Sequence, residues 1–369
     1  MRKVGVFLLT FAVVVGALYV SQRPANQAPP GQQVPGVPAP DQVQPPVQPF
    51  TFAQAKEVVT QQELKDILYW LASPDLEGRM SAKKGNVTSR QYITDYYKSL
   101  GLQPGVSVVD YNQAFQVENL NNFREQGDGW TANVVATMPG NDTGVAGETI
   151  VIGAHFDHIG YGPSMSRTPQ RREIHPGADD NASGTTALLG AAKILSVMKG
   201  QNRRRIVFIS FSAEEMGLIG SKHYVANNPY PNTVFMLNMD MVGRLKGKPT
   251  IDALGAGSSP EVKRVVEGIK GYPFRPNVTS GSGGGSDHAP FYQKGVPICF
   301  IHTGMHNDYH TPEDTADKID YEGLLHVTKY VANIVWEIDR LPSRPSFQRV
   351  VGYDKELEFI DHDWKKTWK

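Results

Sequence analysis

The chain has a single cysteine, Cys299, among its 369 residues, so no disulfide can form within it. Cys299 lies in the apolar run from Val296 to Ile301, which reads as a buried strand. A thiol there is structural rather than nucleophilic, because no activating partner stands beside it. A surplus of charge is also missing. Lys+Arg and Asp+Glu number 37 each, whereas a nucleic-acid binder ordinarily carries a basic excess. The His-Glu-x-x-His helix of single-metal sites is absent, and so is any internal repeat. The stretch from Gly281 to Ser286 is glycine-rich but lacks the lysine of a phosphate loop and follows no convincing strand, so it reads as a flexible loop.

Long apolar runs are scarce too, with one exception. After the basic start Met1, Arg2 and Lys3, the segment Val4 to Val20 is almost wholly apolar. This predicts an export signal or a membrane anchor over residues 1–21. No cysteine lies nearby, which excludes lipoprotein processing. Residues 22–49 form a Pro/Gln-rich tract that cannot bury a core and predicts an extended linker. A single folded domain is expected over residues 50–343, followed by a polar tail over 344–369.

Within the domain, Leu64, Ile67, Leu68 and Leu71 share a helical face, as do Tyr92, Ile93, Tyr96, Tyr97 and Leu100. Apolar strands and helices then alternate. Strands are predicted at Thr149–Ala154, Ile206–Phe211, Val234–Met239, Thr250–Leu254 and around Cys299. Helices are predicted at Ala182–Met198, Leu218–Ala226, Pro260–Ile269 and Tyr321–Leu341. Short, continuously apolar strands separated by helices predict a three-layer α/β sandwich, its mixed, mostly parallel sheet covered by helices on both faces.

Acidic and histidine residues fall at the ends of these strands. His155 and Asp157 follow the first, Glu214 and Glu215 the second, and Asp240 the third. His310 follows the Cys299 strand, and Asp179 and Asp180 precede the Ala-rich helix. Each alone has an ordinary explanation, as a loop residue, a helix cap or a solvated charge. Together they line the edge where open α/β sheets bind ligands. Imidazole nitrogens and carboxylate oxygens suit zinc, and one carboxylate can bridge two ions.

From about Asp66 to Leu341 the sequence resembles the dizinc exopeptidases of metallopeptidase family twenty-eight. That family includes bacterial leucyl-type aminopeptidases and the relatives of glutamate carboxypeptidase II. Its pattern is His-x-Asp, Gly-x-Asp-Asp-x-x-Ser-Gly, Glu-Glu, Asp and a terminal Tyr-His, and all five blocks occur here in order. Ser286 to Phe291 matches a further recurring stretch. The resemblance implies two Zn2+ ions, with His155 and Asp240 completing one site, Glu215 and His310 the other, and Asp179 bridging. It also implies Glu214 as general base toward the attacking water, Asp157 as acceptor of the second ring proton of His155, and Tyr309 as donor to the oxyanion. The Asp179–Asp180 peptide is expected to be cis.

The implied activity is that of an aminopeptidase acting on peptide substrates. A glutamate-type carboxypeptidase needs an arginine cluster, and only Arg244 lies within a core motif. A single-zinc glutaminyl cyclase fits the full ligand set less well, as does a non-catalytic, receptor-like relative. His158, His175, His302 and His306 read as pocket-lining or surface residues. His288 is without a remaining metal position, and Arg171 and Arg172 belong to a solvated insertion over Tyr161–Pro176.

Overall fold

The structure, a computed structural model, describes residues 49–117, 129–162, 165–227, 229–278 and 285–350. The expected leader (1–21), nearly all of the expected linker, most of the glycine-rich stretch and residues 351–369 of the expected tail lie outside the described residues.

Helices α1 (Phe52–Ala55), α2 (Gln61–Leu71) and α3 (Lys84–Ser99) open the domain. In α2 the four residues of the predicted face are all buried, and the Thr60 side chain caps the helix by accepting the Glu63 N–H. Helix α3 starts at Lys84, eight residues before Tyr92, the first residue of the predicted face. Its first turn is buried through small and polar side chains, Gly85, Asn86 and Ser89, so no apolar period announces it. A Cβ at Gly85 would stand 1.7 Å from the Leu76 carbonyl oxygen, which explains the glycine.

The strands are β1 (Gln103–Pro104), β2 (Asn112–Gln116), β3 (Trp130–Met138), β4 (Thr149–His155), β5 (Arg205–Phe211), β6 (Thr233–Met239), β7 (Thr250–Leu254), β8 (Arg275–Asn277) and β9 (Ile298–His302). Between and after them run α4 (Gly184–Ser196), α5 (Ile219–Asn227), α6 (Pro260–Gly268), α7 (Ala289–Gln293) and α8 (Tyr321–Arg340). Among the described residues these nine strands form one sheet in the order β1-β3-β5-β4-β6-β9-β7-β8, with β2 also on β3. The central strands β5, β4, β6 and β9 are mutually parallel, so their carboxyl ends share one edge. Strand β3 runs antiparallel to β5, and β7 antiparallel to β9.

Alternate residues of the central strands serve opposite layers. Ile150, Ile152, Ile206, Phe208, Phe235 and Leu237 join the core beneath α2, α3, α4 and α8. Val151, Val207, Ile209, Phe211 and Met236 pack on the other face with Tyr224 of α5 and Phe291 and Tyr292 of α7. The expected three layers are present. Strands β2 and β3 were not expected, because β3 buries Thr131 and Asn133 among its apolar residues. Asn133 is satisfied there by donating to Gln113 and to the Gly220 carbonyl. Residues 344–350 of the expected tail also pack onto the domain. Tyr292 stacks edge-on with Phe347, and its hydroxyl accepts the Val350 N–H at 2.6 Å.

Candidate metal centre

The shared edge of the parallel strands collects the side chains singled out in the sequence. His155 is the last residue of β4. After β5 the chain turns through Ala213 (φ 58°), which swings Glu214 and Glu215 toward the edge from different directions. Asp240 directly follows β6. His310, itself at φ 54°, lies on the loop after β9. Backbone in the left-handed region is uncommon for such residues and concentrates at functional sites. Asp179 and Asp180 approach from the turn before α4. Gly177 (φ 56°) begins that turn, and a Cβ there would press to 2.5 Å from the His158 ring.

Two clusters of metal-competent groups result. One joins His155, Glu214 and Asp240; the other joins His158, Asp180, Glu215 and His310, with the ligand atoms of each cluster all within 4.8 Å of one another. His155 Nε2 stands 3.5 Å from an oxygen of Asp240. His310 Nε2 stands 3.1 Å from Glu215 Oε2 and 3.1 Å from Asp180 Oδ2. The other oxygen of Asp180, Oδ1, is 3.5 Å from His155 Nε2, so this one carboxylate spans both clusters.

The bridging position expected of Asp179 is therefore occupied by its neighbour. The Asp179 carboxylate is turned away and committed elsewhere: Oδ1 accepts the Gly243 N–H at 2.7 Å and Oδ2 lies 3.0 Å from His306 Nε2. The cis peptide is Asp180–Asn181, one residue later than expected. A second correction concerns Asp157. Its carboxylate is 3.7 Å from His155 Nδ1, beyond hydrogen-bond range, and its own backbone carbonyl is nearer at 3.2 Å. The Asp157 side chain instead accepts the Glu214 N–H at 3.2 Å. Tyr309 stacks on the His310 ring, centroids 3.9 Å apart. Burial, followed by the charges of Asp180, Glu215, Glu214 and Asp240, raises its phenol well above the usual range and keeps it a neutral donor.

Several supporting residues were not read from the sequence. Asp314 accepts the N–H groups of both Asp179 and Asp180 on one oxygen. Ser286 donates to Asp240 at 2.9 Å and accepts from Asn238. Arg79, fully buried, donates to the carbonyls of Leu71, Phe156, Pro176 and Gly177, tying the His155 loop to the turn before Asp179. His158, expected to line the pocket or the surface, is buried against Glu215 at 2.7 Å. Its spacing three residues beyond His155 was the available signal. His175 braces the insertion through Ser166, and His302 accepts the Gly304 N–H. His288 stacks on Phe300.

The chemistry of the donor set fits a pair of zinc ions. Nε2 of His155, Nε2 of His310 and Oδ1 of Asp240 are buried without a hydrogen-bond partner, a costly state for a polar atom and one that a cation relieves. Two imidazoles and three carboxylates, one of them spanning both clusters, match zinc's preference for nitrogen and oxygen ligands. The cluster is crowded with negative charge. Burial, and then the repulsion of Glu215, pushes the Asp180 carboxyl up to about 8. Burial also raises Glu214 well above the usual range, with Asp240, Glu215 and Asp287 opposing its ionisation against the pull of His155. Beside the clusters lies a groove of ≈ 670 Å³, lined by Met165, Arg167, Met305, His306, Asn307, Tyr309 and His310.

Comparison with known proteins agrees with this geometry. The model of Peptidase family M28 matches residues 133–335, more than half of the chain. Leucine aminopeptidase 1 of Ajellomyces dermatitidis is 31% identical over 231 residues, covering 56% of this chain and 56% of that protein. The chain thus spans a little over half the length of that relative. Among solved structures, the LapA aminopeptidase of Legionella pneumophila superposes with a TM-score of 0.59 at 20% identity, over 78% of this chain and 74% of that one. The aminopeptidase of Aneurinibacillus sp. strain AM-1 gives a TM-score of 0.57 at 19% identity, over 81% and 97%. These structures share the fold.

Proposed function

Because the chain belongs to peptidase family M28, we propose that it is a zinc-dependent aminopeptidase that removes the N-terminal residue of peptides. The observation that carries the reading is the Asp180 carboxylate, which belongs to one His/carboxylate cluster and reaches His155 of the other, where Glu214 also stands. His155 and Asp240 would hold one zinc ion, Glu215 and His310 the other, and Asp180 both. When bound, zinc supplies Lewis-acid polarisation of the scissile carbonyl and acidifies the attacking water.

The remaining work falls to the chain's own residues. As water attacks the carbonyl carbon, Glu214 takes its proton and passes it to the amine nitrogen that leaves as the C–N bond breaks. The Asp157 carboxylate fixes the Glu214 backbone from behind. Tyr309, protonated and adjacent to His310, donates to the oxygen on which negative charge develops. The acidic surroundings favour a substrate that brings an ammonium group, the free N-terminus. Nη2 of Arg244 is already paired with Asp308 and Asp314 at 3.1 Å each, which neutralises the one core-motif arginine as a receptor for a substrate carboxylate. This supports the aminopeptidase over the carboxypeptidase.

The apolar segment Val4–Val20 supports export, with residues 1–21 a signal or anchor, 22–49 a linker and the catalytic domain beginning near residue 50. Among the described residues no helix is long and apolar enough to cross a membrane.

The test is a panel of free-amine, amine-blocked and C-terminally blocked peptides offered to the zinc-loaded protein, with Glu214→Gln as control. Free-amine and C-terminally blocked peptides are expected to be cleaved, and Glu214→Gln to lose about 10²–10⁴-fold in rate with its zinc retained. Cleavage of amine-blocked peptides alone would overturn the assignment.

A further inference from the structure

Among the described histidines outside the expected ligand set, His158 approaches it most closely. The residue is 1% exposed. Its Nδ1 lies 2.7 Å from Glu215 Oε1, while the second oxygen, Oε2, lies 3.1 Å from His310 Nε2. The two oxygens of Glu215 thus face different partners. Nδ1 is 3.8 Å from Asp180 Oδ2, too far for a hydrogen bond. The His158 and His310 rings meet edge to face, with centroids 5.6 Å apart.

A carboxylate oxygen and a bare ring nitrogen repel each other at 2.7 Å, so the contact requires the proton on Nδ1. Nε2 is then the unprotonated atom. It is buried without a partner, which costs less for a lone pair than for an N–H. The backbone keeps the ring in place, since the His158 N–H donates to the Arg79 carbonyl and Arg79 is itself locked to four carbonyls.

We propose that His158 is a positioning residue for the metal pair: its Nδ1–H holds Oε1 of Glu215, so that this carboxylate meets its metal through Oε2 alone. A ligand limited to one oxygen leaves that ion a coordination position that a two-oxygen ligand would fill. Orientation of a ligand by an outer hydrogen bond is a general means of tuning metal sites, and its loss costs about 10–100-fold in affinity or activity. The inference rests on reading the two clusters as a metal pair.

The test compares His158→Asn with His158→Ala. The asparagine amide nitrogen sits where Nδ1 does and can donate the same bond, but it is a poor zinc ligand. Metal-free protein is titrated with zinc by calorimetry, and the cobalt(II)-loaded protein is examined by visible absorption, which weakens as coordination number rises. For His158→Ala, one of the two binding steps is expected to weaken about 10–100-fold and the cobalt absorption to fall. His158→Asn is expected to stay within a few-fold of the unsubstituted protein and to keep its spectrum. Equal losses in both variants would identify His158 as a direct ligand, and an unchanged alanine variant would show that it positions nothing. Either result overturns the proposal. If the alanine variant does not fold, the asparagine variant alone decides by keeping or losing the spectrum. An unsubstituted protein that takes up no metal would instead remove the reading beneath the proposal.

Discussion

The carboxylate of Asp314 grips the backbone of Asp180, 134 residues earlier in the chain. One oxygen, Oδ2, accepts the Asp180 N–H at 3.0 Å and the Asp179 N–H at 2.9 Å. The other oxygen pairs with Arg244 at 3.1 Å. Two successive amides held on a single buried oxygen fix the turn that presents Asp180 to both clusters and sends Asp179 the other way.

Substituting Asp314 should therefore loosen the bridging carboxylate. Asp314→Ala is expected to weaken metal binding by about 10–100-fold, measured by zinc titration. It also leaves Arg244 with a single carboxylate partner, and breaking a buried ion pair costs about 3–5 kcal/mol. A clear fall in melting temperature should accompany the weaker binding. Unchanged zinc affinity would separate Asp314 from the site.

Arg79 makes a similar argument for the opposite side of the turn. Its planar fork reaches four carbonyls at once, whereas a lysine offers three donors from one point. Each lost bond to a charged group is worth about 1.5–3 kcal/mol. Arg79→Lys is expected to destabilise the fold by several kcal/mol, roughly 3–5, in urea titration. Stability within 1 kcal/mol of the unsubstituted chain would show that the clasp is replaceable.

Metal removal should make stability fall as pH rises above neutrality. Asp180 is raised to about 8 by burial and Glu215, and Asp287 to about 7, mainly by burial. At His310 burial is outweighed by Glu215 and Asp180, which raise it to about 11. Each of these groups holds its proton more tightly when folded. The stability it contributes is complete below its unfolded pKa and is lost as pH climbs through the folded one. His158 and His288, both lowered to about 3 by burial, act in the opposite direction only below about 6.5. From about pH 6.5 to 8, and on toward 11, chelated protein should lose on the order of 1 kcal/mol per pH unit for each of these groups still protonated when folded, so the slope is steepest near neutrality and shallower above 8. Thermal melts of chelated and zinc-loaded protein at three pH values check this, and a flat profile for the chelated form would contradict it.

Cys299 provides a probe of opening. It sits in β9 with no exposed surface, and burial pushes its thiol up, far from the thiolate needed for reaction. A disulfide reagent should label the native protein only at the rate at which the sheet opens, and the unfolded protein at once. Rapid labelling under native conditions would place β9 outside the stable core.

Much of this arrangement was legible in the sequence because strand ends are marked twice, by the apolar run and by the polar residue after it. His155 and Asp240 are found this way, with Glu215 a few residues on, whereas His310, eight residues past the end of β9, is marked only by the Tyr-His block. The choice between Asp179 and Asp180 was not legible. Both are acidic neighbours in one motif, and what separates them is backbone direction, set by Asp314, Gly243 and His306 from distant parts of the chain. Strand β3 was hidden for a related reason, since its buried Thr131 and Asn133 are satisfied by Asn86, Gln113 and Gly220. Partners remote in sequence leave no local period to read.

The order of the central strands also dictates a sequence of events. Glu215 and Asp240 leave the chain early, but His310 reaches them only after β9 has paired with β6, and Asp314 must follow to set the Asp180 turn. A nascent chain halted near residue 300 would carry every member of the His155, Glu214 and Asp240 cluster but would lack His310 of the other. Uptake of the complete metal pair should therefore come after synthesis of almost the whole domain and coincide with closure of its sheet. If the chain crosses a membrane unfolded, it would arrive empty and collect its ions on the far side, so that the zinc supply there, rather than that of the cytoplasm, would limit how much active protein accumulates.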